Sequence, residues 1–137
     1  MSNNYTQLYV HCVWSTWKRL PLITTDIQNI VYAAITKQCQ DLGCTVIAIN
    51  GVTDHVHLLT RFPTTLKISE LVGKAKGSSS HLINHKIKPD SYFRWQSGYG
   101  VFTVSHRGVD NVTNYIKNQQ IHHAKKNSNN LILDWEI

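Results

Sequence analysis

The stretch Val52-Thr53-Asp54-His55-Val56-His57-Leu58-Leu59-Thr60-Arg61 decides how the chain folds. Its β-branched and aliphatic residues, closed off by Pro63, predict a strand. Side chains alternate along a strand, so Val56 and Leu58 share one face and His55 and His57 the other. If the apolar pair points into a core, the two imidazoles stand together on the far face. Two imidazoles side by side make half of a metal site. In a chain with eight histidines the pattern alone also suits two exposed strand residues.

Upstream, Cys44–Asn50 is rich in β-branched residues and predicts a second strand. Asn50-Gly51 is the turn signal that joins the two as an antiparallel hairpin. Before it, Thr24 or Thr25 can cap a helix running to about Leu42, with Ile27, Ile30, Val31 and Ala34 as its apolar stripe and Gly43 as its stop. Earlier still, Tyr5–Trp14 alternates as a strand. Val10 and Cys12 face the core, which puts His11 on the same side as His55 and His57.

Downstream, Leu66 to about Lys86 predicts a helix with Ile68, Leu71, Val72, Ala75, Leu82 and Ile83 on one face. Gly77 weakens its middle. Pro89–Gly100 is a loop, Val101–Ser105 a short strand, and Val109 to about Lys126 a last helix preceded by Gly108. The polar tail 127–137 is assigned no structure. The order βαββαβ plus a C-terminal helix is the α+β, ferredoxin-like (RRM-like) pattern. It has strands one and three at the centre of an antiparallel sheet and both crossover helices on one face.

The last helix carries Tyr115 and Gln119 four residues apart, on one face, with His122 three residues further along. If that helix crosses the open side of the sheet, Gln119 can offer a third ligand, and Tyr115 sits about one turn from the metal. Taken alone, Tyr115 equally suits a core aromatic of an amphipathic helix.

At 137 residues the chain is one domain, 1–137, with a core of about 5–126. Its net charge of +6 and pI near 9.3 favour an anionic partner, nucleic acid above all. Cys12, Cys39 and Cys44 form no CxxC pair, which predicts reduced thiols and a cytoplasmic protein. The polar, uncharged Met1–Thr6 lacks a signal-peptide pattern, and no stretch is long and apolar enough for a membrane span.

Two stretches carry a resemblance. Asp54-His55-Val56-His57-Leu58-Leu59 resembles the HUH motif of histidine, bulky hydrophobic, histidine. Asn114-Tyr115-Ile116-Lys117-Asn118-Gln119, followed by His122-His123, resembles the tyrosine helix of the TnpA-type single-tyrosine transposases of small bacterial insertion sequences, a family of the HUH endonuclease superfamily. His11-Cys12-Val13-Trp14, Lys76-Gly77-Ser78-Ser79-Ser80 with Ile83-Asn84, and Trp95-Gln96-Ser97-Gly98-Tyr99-Gly100 extend the similarity from about Tyr5 to Lys126. The resemblance implies Tyr115 as nucleophile, with His55, His57 and Gln119 holding Mg2+ or Mn2+. It further implies cutting and rejoining of single-stranded DNA at hairpins near element ends, through a 5′-phosphotyrosine. The working unit would be a homodimer in which the tyrosine helix serves its own or the partner's site, with Gly108 as the hinge. No nucleotide cofactor is needed.

The chemistry is consistent with that implication. An ordinary tyrosine titrates near ~10 and is a weak nucleophile at neutral pH. A cation on the scissile phosphate orients it and offsets charge in the transition state. Phosphate contacts are expected from His11, Arg61, Lys74, His81, His85, Lys117, His122, Lys125 and Lys126. His81 and His85 share a helical metal spacing, but no carboxylate or cysteine accompanies them, so they are not read as a second metal site. The four tryptophans are read as core or loop anchors. Two rival readings stand. One is another HUH nickase: a replication initiator, a relaxase or a domesticated transposase acting on repeated hairpins. The other is a non-catalytic nucleic-acid module of RNA-recognition type.

Overall fold

The computed structural model describes residues 4–121. Four strands, β1 (Tyr9–Ser15), β2 (Thr45–Val52), β3 (His55–Arg61) and β4 (Gly100–Val104), form one sheet in the order β2-β3-β1-β4. Every neighbouring pair is antiparallel. With helices α1 (Gln28–Asp41) and α2 (Ile68–Leu82) as crossovers, this is the ferredoxin-like arrangement predicted, with β1 and β3 central. A last helix, α3 (Val109–Lys117), follows β4.

The alternation of each strand sorts its residues into two layers. Val10, Cys12 and Trp14 of β1 and Val56 and Leu58 of β3 pack under Val31, Tyr32, Ile35 and Cys39 of α1 and Leu71, Val72 and Ala75 of α2. The other face is covered too: Ile116 of α3 packs on Tyr9, Ala48 and Leu59, with Val109, Val112 and Tyr115 beside it. A bulge between Val46 and Ala48 lets Ile47 and Ala48 both meet this helix. All seven residues of β1 are therefore buried.

Several boundaries differ from the sequence reading. Helix α1 begins at Gln28 with Ile27 at its N-cap, so neither Thr24 nor Thr25 caps it. The hairpin turns at Thr53-Asp54, three residues beyond the predicted Asn50-Gly51. Both of those residues stay in β2, where Gly51 pairs with Val56. A Cβ on Gly51 would lie 2.2 Å from the His55 carbonyl oxygen, so the glycine serves close strand approach and not a turn. The second helix stops being α-helical at Leu82 and continues as one π-turn, Ile83–Ile87, where Asn84 is drawn into the next loop by Phe93. The first strand begins at Tyr9 and not at Tyr5. The predicted end of the last helix near Lys126 lies outside the described residues.

Candidate active site

β3 delivers His55 and His57 to the face covered by α3, with ring centres 5.1 Å apart. Both imidazoles are almost fully buried. Each ring is oriented through Nδ1. His55 Nδ1 donates to the Asp54 carboxylate at 2.8 Å, and Arg19 stands 3.7 Å from the same carboxylate. That bond puts the proton on Nδ1 and the ring's lone pair on Nε2. His57 Nδ1 lies 2.8 Å from His11 Nε2, so one of the two donates. Burial pushes the His11 pKa down to about 4, which keeps this ring neutral. Donation from His57 to His11 again puts the lone pair on Nε2.

α3 completes the cluster. The Tyr115 ring stands 5.6 Å from that of His57, nearly perpendicular, and 6.1 Å from that of His11. One turn on, past a break in the helix at Asn118, Gln119 is fully buried. Its amide nitrogen donates to the Tyr115 carbonyl at 3.3 Å. Its Oε1 is buried with no hydrogen-bond partner among the described residues. A buried orphan carbonyl is costly and calls for a missing partner. Two imidazole nitrogens and this amide oxygen are a neutral donor set that fits a small divalent cation. No cluster of three or more His, Cys, Asp or Glu suited to a metal occurs among the described residues. An amide ligand lies outside that pattern.

A clasp fixes α3 in place. Asn50 Nδ2 donates to the carbonyls of Ile116 and Lys117, each at 3.1 Å. Gln120 Nε2 answers with bonds to Asn50 Oδ1 and to the Gly51 carbonyl at 2.9 Å. At the helix start, Ser105 Oγ accepts from Gly108 N–H at 3.2 Å, and Gly108 itself keeps an ordinary right-handed conformation.

Residues 4–119 match the family model described as "Transposase IS200 like". The chain belongs to the IS200-like transposase family. It is 25% identical over 114 residues to the transposases of insertion element IS200 from Salmonella typhimurium and Salmonella typhi, spanning 80% of this chain and 74% of theirs. Among solved structures, a candidate transposase from Deinococcus radiodurans R1 superposes with a TM-score of 0.67 at 23% identity, over 87% of this chain and 95% of that one. A REP-associated tyrosine transposase, solved bound to a REP hairpin, gives 0.65 at 18% identity, over 90% and 74%. At these identities the two structures establish the fold alone.

Within this transposase fold the other predicted site residues scatter. His11 is corrected: it is 1% exposed beneath α3, so it cannot meet a DNA backbone and instead orients His57. Arg61 is half-buried and holds the Thr6 carbonyl. Lys74 pairs with Glu70 at 3.4 Å, and the exposed rings of His81 and His85 stand 4.4 Å apart. Lys74 and His81 lie on α2 and His85 on the π-turn that continues it, across the sheet from the imidazoles. Lys117 is exposed at the end of α3, near the clasp. His122, Lys125 and Lys126 lie outside the described residues. Sequence reasoning missed Asp54, Asn50 and Gln120. Asp54 adjoins the motif and could have been found there; the clasp joins residues far apart in the chain.

Proposed function

We propose that the chain cleaves and rejoins single-stranded DNA, with Tyr115 as nucleophile and with His55, His57 and Gln119 as ligands of Mg2+ or Mn2+. The observation that carries this is that Tyr115 stands edge-on to His57, beside two Nδ1-anchored imidazoles, while one turn on the Gln119 oxygen is buried without a hydrogen-bond partner among the described residues. When bound, the cation supplies Lewis-acid polarisation of the scissile phosphate.

The protein does the rest. Tyr115 Oη attacks phosphorus, forming a tyrosine–phosphate ester and breaking the P–O3′ bond. The phenolic proton balances the released 3′-hydroxyl. Because the ester conserves the bond energy, a later 3′-hydroxyl reverses the step and joins new ends. Asp54 and His11 hold the imidazoles in one tautomer, and the Asn50–Gln120 clasp holds Tyr115 and Gln119 in register. The REP hairpin bound by the structural relative supports hairpins as the substrate class. A homodimer, implied by the resemblance, and a cytoplasmic setting, read from the unpaired cysteines, belong to the same proposal. Among the described residues no helix is long and apolar enough to cross a membrane.

The test is incubation with single-stranded hairpin substrates, with and without Mg2+. A denaturant-resistant protein–DNA adduct that needs the cation and vanishes in Tyr115→Phe is expected. Tight binding with no adduct on any substrate would favour the non-catalytic binding module.

A further inference from the structure

Two segments in the sequence resemblance, Lys76–Ser80 and Trp95–Gly100, have no part in the site above, yet they meet. Lys76 Nζ donates to the carbonyls of Gln96 and Gly98 at 2.8 and 2.7 Å. Trp95 Nε1 donates to Ser79 Oγ at 2.9 Å. Together with the turn after β1 they enclose a cleft of about 690 Å3. That lies within the roughly 300–1,000 Å3 of typical ligand pockets.

Trp17 stands in its wall, with Tyr92 edge-on at 5.8 Å, the Arg94 guanidinium 5.1 Å from its ring centre and Lys18 Nζ at 4.4 Å. No carboxylate lines the cleft among the described residues. The turn is strained: Lys18 and Arg19 both have φ of 54°, a conformation that non-glycine residues rarely adopt. It is held there by Lys18 N–H on Gln96 Oε1 and Arg19 N–H on the Thr16 carbonyl, each at 2.9 Å. Strain of this kind collects at functional sites. The turn also abuts the candidate active site, because Thr16 N–H donates to the Asp54 carbonyl at 2.9 Å and Asp54 orients His55.

Gly77 adds an independent observation. It sits inside α2 on the cleft, and a Cβ there would meet nothing within 4 Å. A mid-helix glycine that the protein's own packing does not require leaves room for something else.

We propose that this cleft is a nucleotide subsite, holding one unpaired base of the DNA strand against Trp17. The inference rests on the single-stranded DNA reading. Aromatic planes flanked by cations take bases by stacking and phosphates by charge. A base in a duplex has its faces covered, so only an unpaired nucleotide fits. The Lys18 and Arg94 side chains are exposed and can swing from the indole to the phosphate as the base stacks.

Fluorescence anisotropy with labelled oligothymidylate, and with an abasic strand of the same length, tests this on the full chain. The wild type should prefer the base-bearing strand by about tenfold. Trp17→Ala should erase the preference and Trp17→Phe keep most of it. Gly77→Leu should erase it while the melting temperature holds or rises, which separates cleft filling from misfolding. An equal affinity of the wild type for both strands, or a preference that survives in both Trp17→Ala and Gly77→Leu, would overturn the subsite and leave the transposase reading standing. Failure of the wild type to bind either strand would also overturn the subsite, while the transposase reading is tested separately by the hairpin adduct assay.

Discussion

Beneath α1 and α2 the sheet presents Val10, Cys12, Trp14, Val56 and Leu58; beneath α3, one residue along the same strands, it presents His11, His55 and His57. Both layers are equally dry. In the first, burial is its own reward: apolar area leaves water, and even the cysteines behave as small hydrophobes, with burial pushing the Cys12 and Cys39 thiols up to about 12. In the second, burial works against stability. Three imidazoles and an amide are desolvated, and each must recover the cost through an oriented partner. His55 has Asp54 and His57 has His11, while the Gln119 oxygen has none among the described residues. A dry polar layer of this kind suits chemistry on a charged phosphate, because a low dielectric strengthens every interaction that positions it.

Adjacent residues of β3 sharpen the contrast most. His57→Ala should take strand cleavage below detection while hairpin binding stays within a few-fold. It should cost about 1–3 kcal/mol of stability, the penalty for orphaning His11. Leu58→Ala, one residue on, should do the reverse. It should lose about 2–5 kcal/mol through the cavity it opens, yet cleave at a near-normal rate wherever it remains folded. Thermal melts and a cleavage assay on the two proteins check this, and equal losses of binding and cleavage in His57→Ala would make the histidine structural.

A smaller effect is expected from His11→Leu. Removing the partner that orients a metal-binding imidazole typically costs about 10–100-fold in metal affinity or activity, so Mn2+ binding and cleavage should fall together by that much. His11→Gln, whose amide oxygen can still accept from His57, should recover part of the loss. A change in hairpin affinity without a change in Mn2+ affinity would return His11 to the role of a DNA contact. The smallest effect belongs to Asn50→Ala. It breaks a half-exposed clasp worth about 1 kcal/mol, so cleavage should fall several-fold and amide exchange in α3 should quicken, with the α1–α2 layer unchanged.

Much of this contrast could be read from the chain before folding. Period-two alternation assigns Val56 and Leu58 to one layer and His55 and His57 to the other without knowledge of any neighbour. The four-residue spacing likewise puts Tyr115 and Gln119 on one side of α3. What local patterns cannot carry is the register between strands. His11 reaches His57 because β1 pairs with β3 so that Val13 faces His57 and His11 faces Leu59, an offset set by the whole sheet. Asn50-Gly51 misled for a related reason. Its local turn preference is real, but Asn50 gains more from the end of α3, and Gly51 is needed where the strands approach closely. The π-turn after Leu82 follows from Asn84 holding the Phe93 loop, a contact that no helical periodicity announces.

The claim that one tyrosine is set over the paired imidazoles has a direct test in the identity of the DNA-linked residue. After reaction with a single-stranded hairpin in Mg2+, tryptic digestion and mass spectrometry should find the nucleotide on the Gly108–Lys117 peptide, esterified to Tyr115. Tyr5, Tyr92 and Tyr99 are all more exposed and should remain unmodified. An adduct on any of those, or on no tyrosine at all while the strand is still cut, would contradict the account.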